Sequence, residues 1–339
     1  MLLRELGEFG LIDRIRDGLI VRPCGVLMGI GDDGAVLRTD AGKVLVVSTD
    51  TLVEGVDFLY ETISPEQLGH KSLAVNLSDI AAMGARPDHA LVSLCIPDRY
   101  TVEYLTAFYE GIRRLAARFG VNVLGGDISS SPHDLVISIT ALGSARAEEV
   151  CYRHGARPGD ALLVVGVLGE SGAGLDSLLE PRQDAHALPE EAQATLRRRH
   201  LEPEPLVEEG HWLAESGRVH AMIDVSDGIA SDLRHICRAS GTGAVVERDA
   251  LPITPALRAF LDATGAAPER YLLHTGEDYA LLLAMTDGEA DSLIAAFKAR
   301  FATPITRIGH ATAAAETFLR RSDGTLEPLS GGYEHFRRP

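Results

Sequence analysis

The sequence predicts an α+β protein made of two mixed α/β domains. Three observations carry that expectation. The chain has 339 residues, which at roughly 150 residues per domain is two units rather than one. Short β-rich runs alternate with helical patterns along its length. A turn-like cluster, Arg157-Pro158-Gly159-Asp160, interrupts the alternation near the middle. Only 5% of residues are aromatic, so the cores must be mostly Leu, Val, Ile and Ala.

In the first unit, β-rich runs fall at Val44–Ser48, Ala90–Ile96, Val121–Leu124 and Leu135–Leu142, with helical periodicity over Pro65–Met83 and Val102–Phe119. Ser64 before Pro65 is a helix start, because Ser can cap and Pro suits the first turn. This unit is taken as residues 1–146 and the second as 147–339. The second opens on a strand, Ala161–Val167, and a Gly-rich stretch from Gly169 to Gly174. Helical patterns follow at Glu190–Arg199, Pro205–Ser216 and Ile229–Ala239. Strands return near His220–Val225, Ala244–Glu247, Tyr279–Ala284 and Ile305–Gly309. The polar, Pro-bounded stretch Leu179–Pro189 is expected to be a mobile loop.

Acids outnumber bases 49 to 32, a formal net charge of -17, which argues against a nucleic-acid partner needing clustered Lys and Arg. Lys43, Lys71 and Lys298 are the only lysines. Cys24, Cys95, Cys151 and Cys237 are far apart, so neither a zinc ribbon nor a disulfide scaffold is expected. Met1 to Ile12 carries Glu5 and Glu8 and does not read as a signal peptide. The most apolar run, Ala161–Leu168, is far short of the roughly 20 residues of a membrane span. A cytoplasmic chain with no membrane partner is expected.

The informative feature is where the carboxylates sit. Asp32 and Asp33 lie inside the glycine cluster Gly29 to Gly34, and Ser48-Thr49-Asp50 ends an apolar strand. Asp79 follows Asn76 by one helical turn, and Asp127 follows Gly125 and Gly126. Asp224-Val225-Ser226-Asp227-Gly228 marks a strand-to-helix switch, and Gly276-Glu277-Asp278 precedes a strand. Acids at strand ends point into the crevice where α/β folds bind ligands. Singly, each has a plainer reading. Asp33-Gly34 fits a hairpin turn, Asp227 a helix cap, Asp79 a solvated helical acid and Asp127 a loop acid. Together, so many ionised carboxylates in a low-dielectric cleft require cations. Mg²⁺ suits carboxylates combined with substrate phosphates, and it would bring a polyphosphate to a protein that otherwise repels it.

Histidines do not compete: no HxxxH or HxH pair lies in these motifs, and His70, His89 and His274 are expected as packing or surface residues. No GxxxxGK[ST] loop and no HRD or DFG triplet is present, which excludes P-loop ATPases and protein kinases. Gly169–Gly174 could cradle a phosphate at a helix start; a tight packing turn fits it equally.

These motifs carry a resemblance. Gly29-Ile30-Gly31-Asp32-Asp33, Ser48 to Val53, Lys71 to Gly84, Gly125-Gly126-Asp127, Ile223 to Leu233, Gly276 to Tyr279 and Gly332 to Phe336 stand in the order of the thiamine-monophosphate kinase family. The chain resembles that family from Glu8 to Phe336. The resemblance implies the fold shared with aminoimidazole ribonucleotide synthetase and selenophosphate synthetase. In that fold the N-terminal domains pair across a homodimer into a β-barrel, and each C-terminal domain is an α/β sandwich. It also implies ATP-dependent, Mg²⁺-assisted phosphorylation of thiamine monophosphate to thiamine diphosphate, the last step of that cofactor's biosynthesis.

Carried over residue by residue, the magnesium ligands fall on Asp33, Ser48, Thr49, Asp50, Asp79, Asp127, Asp224 and Asp227. Of these, Asp50, Asp79, Asp127 and Asp227 are expected to be catalytic; Asp32 is left open as a further ligand. ATP contacts fall on Tyr109, Gly126, Asp127, Arg153 and Ser226, and thiamine monophosphate contacts on Asp57, Glu277 and Tyr333. Two departures stand out. Ser130 occupies the place of an expected arginine, and Thr275 that of a glycine.

The chemistry needs no catalytic base. A phosphate monoester has a second pKa near 6 and is mostly dianionic at pH 7, so neutralisation and in-line alignment suffice. Arg153 would add a fixed fork for phosphate, and Asp57 and Tyr333 suit a cationic ring. On residue type alone, Arg153 could be a surface arginine, Tyr333 a packing aromatic and Trp212 a core residue. The rivals are a sister enzyme with another acceptor, a maturation protein of the same superfamily, which would carry a C-terminal cysteine tail where this chain has Arg337-Arg338-Pro339, and a non-catalytic nucleotide sensor or structural binding module.

Overall fold

The structure is a computed structural model and describes residues 24–28, 31–39, 42–179 and 188–333. Expectations for Gly29, Ile30, the N-terminal segment, residues 180–187 and the residues after Tyr333 lie outside it.

The first unit comprises β1 (Val26–Met28), β2 (Ala35–Arg38), β3 (Lys43–Val53), α1 (Pro65–Ala82), β4 (Arg86–Ile96), α2 (Val102–Phe119), β5 (Asn122–Ser130) and β6 (Val136–Arg146). Its six strands are ordered β1-β2-β3-β6-β4-β5, antiparallel except for the parallel β4–β5 pair. Burial alternates along β6, and its buried Ile137 and Ile139 pack with Leu68, Leu73 and Leu77 of α1 and Phe108 and Ile112 of α2. One sheet face is therefore covered by two helices. On β5 every residue is exposed, Leu124 at 60% and Ile128 at 68%.

Two strands differ from the sequence expectation. β3 runs on to Val53, paired with β6 through all eleven residues, so Ser48–Asp50 lie in mid-strand. Likewise Gly125-Gly126-Asp127 lies inside β5, paired with β4. The polar residues end the apolar run but not the ladder.

α1 starts where expected. The Ser64 hydroxyl accepts from the Gln67 amide and the Gln67 side chain accepts from the Ser64 amide, a reciprocal cap with Pro65 in the first turn. Leu68, Leu73, Leu77 and Ile80 are fully buried, each worth about 1.5–3 kcal/mol. Two glycines let α1 and α2 cross backbone to backbone: a Cβ on Gly69 would lie 1.9 Å from the Phe108 carbonyl oxygen, and one on Gly111 1.9 Å from that of Glu66.

The second unit comprises β7 (Ala161–Val165), α3 (Glu170–Leu179), α4 (Glu190–Leu201), α5 (Val207–Glu215), β8 (Val219–Val225), α6 (Ile229–Ser240), β9 (Gly243–Glu247), α7 (Pro255–Thr264), β10 (Ala280–Met285), α8 (Asp287–Arg300), β11 (Ile305–Thr312), β12 (Thr317–Arg320) and β13 (Leu326–Pro328). The sheet order is β13-β12-β9-β11-β7-β10-β8. Leu162 and Val164 of β7 join one core with Leu233 and Leu257; Leu163 and Val165 join another with Leu213 and Phe297. The sheet thus carries helices on both faces. Among the described residues no helix is long and apolar enough to cross a membrane.

Candidate active site

A cleft of about 1510 Å³ lies where the two units meet. A single small-molecule pocket occupies roughly 300–1,000 Å³, so this one has room for two ligands side by side. Ten carboxylates line it against four Lys and Arg side chains. An anionic substrate could not enter so acidic a cleft without added positive charge.

Three elements bring the central acids together. Alternation along β3 places Ser48 and Asp50 on the face that carries α1. The Ser48 hydroxyl donates to Asp79 on α1, and the Asp50 amide donates to Asn76 Oδ1 at 3.1 Å. From β8, Asp224 accepts from the Ser78 hydroxyl at 2.6 Å, so adjacent α1 residues serve the acids of both units. Carboxylate oxygens of Asp33, Asp79 and Asp224 lie within 4.8 Å of one another.

Burial and mutual repulsion raise these carboxyls. Asp224 is pushed up to about 8, first by burial and then by Asp33. Asp50 is pushed to about 6, chiefly by burial, and Asp79 lies well above its ordinary value through burial, Asp50, Asp224 and Asp33. Asp32 rises to about 7 by burial and by Asp33. The cluster therefore favours protons or a cation over bare charge.

Arg153 closes one side. Its Nε donates to Asp33 Oδ1 at 3.1 Å and its amide to Asp32 Oδ2 at 3.0 Å, so it is no surface arginine. Asp33 Oδ2 is buried without a hydrogen-bond partner. An ionised oxygen left so would cost several kcal/mol, and a hard cation among three carboxylates fits it.

The remaining candidates divide. Asp57, Ser226, Asp227, Glu277 and Tyr333 all line the cleft. Asp57 accepts from the Val53 amide at 2.8 Å, and the Tyr333 and Glu277 amides donate to the carbonyls of Asp227 and Ser226. Asp227 precedes the α6 cap position, Gly228. It groups with Asp232 and His235 rather than with the central acids. The Thr49 hydroxyl donates to the Ile139 carbonyl at 3.0 Å, and alternation along β3 puts it on the opposite face from Ser48 and Asp50.

Tyr109, Gly126 and Asp127 are not brought to the cleft of the same chain. Asp127 pairs with Ser93, Ser93 with Ser138 and Ser138 with Thr51. Three strand spacings put it about 14 Å from β3. Gly126 has a packing reason of its own: a Cβ there would fall 1.7 Å from the Val92 carbonyl oxygen. Tyr109 is half-buried on α2, edge-on to Phe108. Ser130 ends β5 and is exposed.

Sequence reasoning missed several residues. Asp232 is buried on α6, where Ile229, Ala230 and Leu233 already signal an inward face. Lys71 and His200 line the cleft unforeseen, and so does His274, expected as a packing or surface residue. The Gly169 stretch is a packing feature. Asp278 accepts from the amides of Gly169 and Ser171 at 2.6 and 3.2 Å, filling the place a phosphate would take.

Comparisons with known proteins agree with this geometry. The AIR synthase related protein family matches with its N-terminal domain over residues 31–145 and its C-terminal domain over residues 157–321. A protein of Bacillus subtilis (strain 168) named thiamine-monophosphate kinase is 35% identical, covering 98% of this chain and all of its own. One of the same name from Escherichia coli (strain K12) is 37% identical over 98% and 99%. A solved structure described as AaThiL complexed with AMPPCP and TMP superposes with a TM-score of 0.85 at 33% identity, covering 99% of both chains.

Proposed function

The chain belongs to the thiamine-monophosphate kinases of the AIR synthase related family, and from that premise we propose how its cleft works. The enzyme phosphorylates thiamine monophosphate at the expense of ATP, giving thiamine diphosphate. The observation that carries the mechanism is the set of converging carboxylates around the unpartnered oxygen of Asp33, in a cleft large enough for two substrates.

The residues present fit Mg²⁺. Asp33, Asp79 and Asp224 would hold it, with Asp50, Ser48 and Thr49 on the neighbouring strand and Asp227 also in the cleft; when bound, it would supply the charge that lets two phosphates approach. Arg153 holds Asp33 in place and presents a fixed cation to the nucleotide, which Ser226 of the same cleft also contacts. Asp57, Glu277 and Tyr333, which also line the cleft, receive the acceptor, whose cationic ring suits a carboxylate and an aromatic face. The acceptor phosphate is already dianionic, so these residues orient rather than deprotonate it.

The open face of the first sheet supports a homodimer. Leu91, Leu124 and Ile128 are exposed at 40%, 60% and 68%, an apolar surface that a second copy would cover. Pairing of two such sheets into a barrel would bring the partner's Asp127, Gly126 and Tyr109 toward this cleft, which would account for their absence from it. We take the two units to divide at 146/147 and the enzyme to work in the cytoplasm without a nucleic-acid or membrane partner, a reading that the excess of acids, 49 against 32 bases, supports.

The test is ADP release from the purified protein with ATP and Mg²⁺, with and without thiamine monophosphate, together with identification of the product. Thiamine diphosphate formed in step with ADP is the expected result. ADP released independently of the acceptor overturns direct transfer.

A further inference from the structure

We propose that Lys71 is a positioning residue for acceptor recognition, acting through Glu277; this rests on the reading of Glu277 as a contact to thiamine monophosphate. Lysine is almost never fully buried unless paired, and Lys71 is 1% exposed. Its ammonium stands 2.7 Å from Glu277 Oε1 and has no other hydrogen-bond partner. The second oxygen, Oε2, faces His200 Nδ1 at 3.2 Å, and that nitrogen also lies 3.1 Å from the Ser171 hydroxyl. The Glu277 carboxylate is thus gripped at both oxygens by residues from two different helices, α1 and α4.

The backbone explains why a grip is needed. Glu277 has φ 62°, a left-handed conformation that costs a non-glycine residue roughly 1–2 kcal/mol and persists only where the surroundings enforce it. The Lys71 cation holds the half-buried Glu277 carboxyl below its usual range, and burial pushes His200 down to about 4, so at neutral pH the pair is one cation and one anion with a neutral imidazole. Position along the helix adds a second point. Lys71, Val75 and Asp79 follow at i, i+4 and i+8, and all three line the cleft. Eight residues of helix span about 12 Å, so one rigid face of α1 sets the separation between the carboxylate cluster and the acceptor end.

The experiment compares K71M, E277Q and the double variant in the full-length protein, reading kcat, KM for each substrate and the melting temperature. K71M is expected to raise the acceptor KM roughly 10-fold or more, with the ATP KM within about twofold of the parent. The double variant should be no worse than E277Q alone, because Lys71 acts only through the carboxylate. If E277Q raises the acceptor KM and K71M does not, the positioning role is overturned while the Glu277 contact stands. If E277Q changes nothing, the contact itself is wrong and the proposal falls with it. A double variant worse than E277Q would mean that Lys71 touches the acceptor directly, which also overturns the proposal. Should K71M fail to fold, the double variant buries no unpaired charge, and its comparison with E277Q decides alone.

Discussion

Removing divalent cations and raising the pH should destabilise this protein, and the cleft sets the sign. Burial pushes Asp224 from 3.8 up to about 8, Asp32 to about 7 and Asp50 to about 6. In the unfolded chain all three titrate near their ordinary value of about 3.9. Between those limits the folded protein binds more protons than the unfolded one, so metal-free stability falls as pH rises. The contribution is intact below about pH 4 and is lost as pH climbs through about 6, 7 and 8 in turn. For Asp224 alone, ~4 units at ~1.4 kcal/mol each sets a ceiling of ~6 kcal/mol. Water penetration and relaxation of the cleft reduce the loss between pH 5 and pH 8 to on the order of 2 kcal/mol, or roughly 3 °C in melting temperature for a chain of this length. Mg²⁺ replaces the protons, so millimolar Mg²⁺ should stabilise the protein more at pH 8 than at pH 5. The assay is thermal melting across that range in chelator and in Mg²⁺, with D224N expected to flatten the chelator curve. A chelator curve that is level or rises with pH refutes the reasoning, as does equal stabilisation by Mg²⁺ at both ends.

Replacing Asp50, Asp79 or Asp227 by Asn should reduce turnover by roughly 100-fold or more with an unchanged far-UV circular dichroism spectrum; near-parental activity in any of them removes that residue from the catalytic set. Ile128→Asp should yield a monomer in light scattering and lose activity with it, whereas an active dimer would place the interface elsewhere. Gly69→Ala drives a Cβ into the Phe108 carbonyl and should cost about 1–3 kcal/mol, visible as a lower denaturant midpoint. An unchanged midpoint would mean that the α1–α2 crossing is loose.

Legibility varied with how local the cause was. α2 could be read end to end, because Thr101 caps it and left-handed Gly120 closes it. β3 and β5 were cut short, since Ser48-Thr49-Asp50 and Gly125-Gly126-Asp127 break the apolar pattern while hydrogen bonds to distant strands continue. α8 went unseen because only Ala290, Leu293 and Phe297 are buried in fourteen residues. The acids of the cleft were legible as motifs, but no local signal says that Ser78 meets Asp224, 146 residues away. Nor does one say that Asp278 fills the amides at Gly169. Lys71 gave only its rarity as a warning, lodged in an apolar helix.

α1 belongs to both units. It packs on β3 and β6 of the first sheet and on β8 and α5 of the second unit, with Ser78 tied to Asp224 across the boundary. Rocking one unit away from the other would uncover that helix face and break the tie, so the chain has no hinge at its division. Thermodynamically the same weld joins the two cores, and calorimetry should record one cooperative melting transition rather than two.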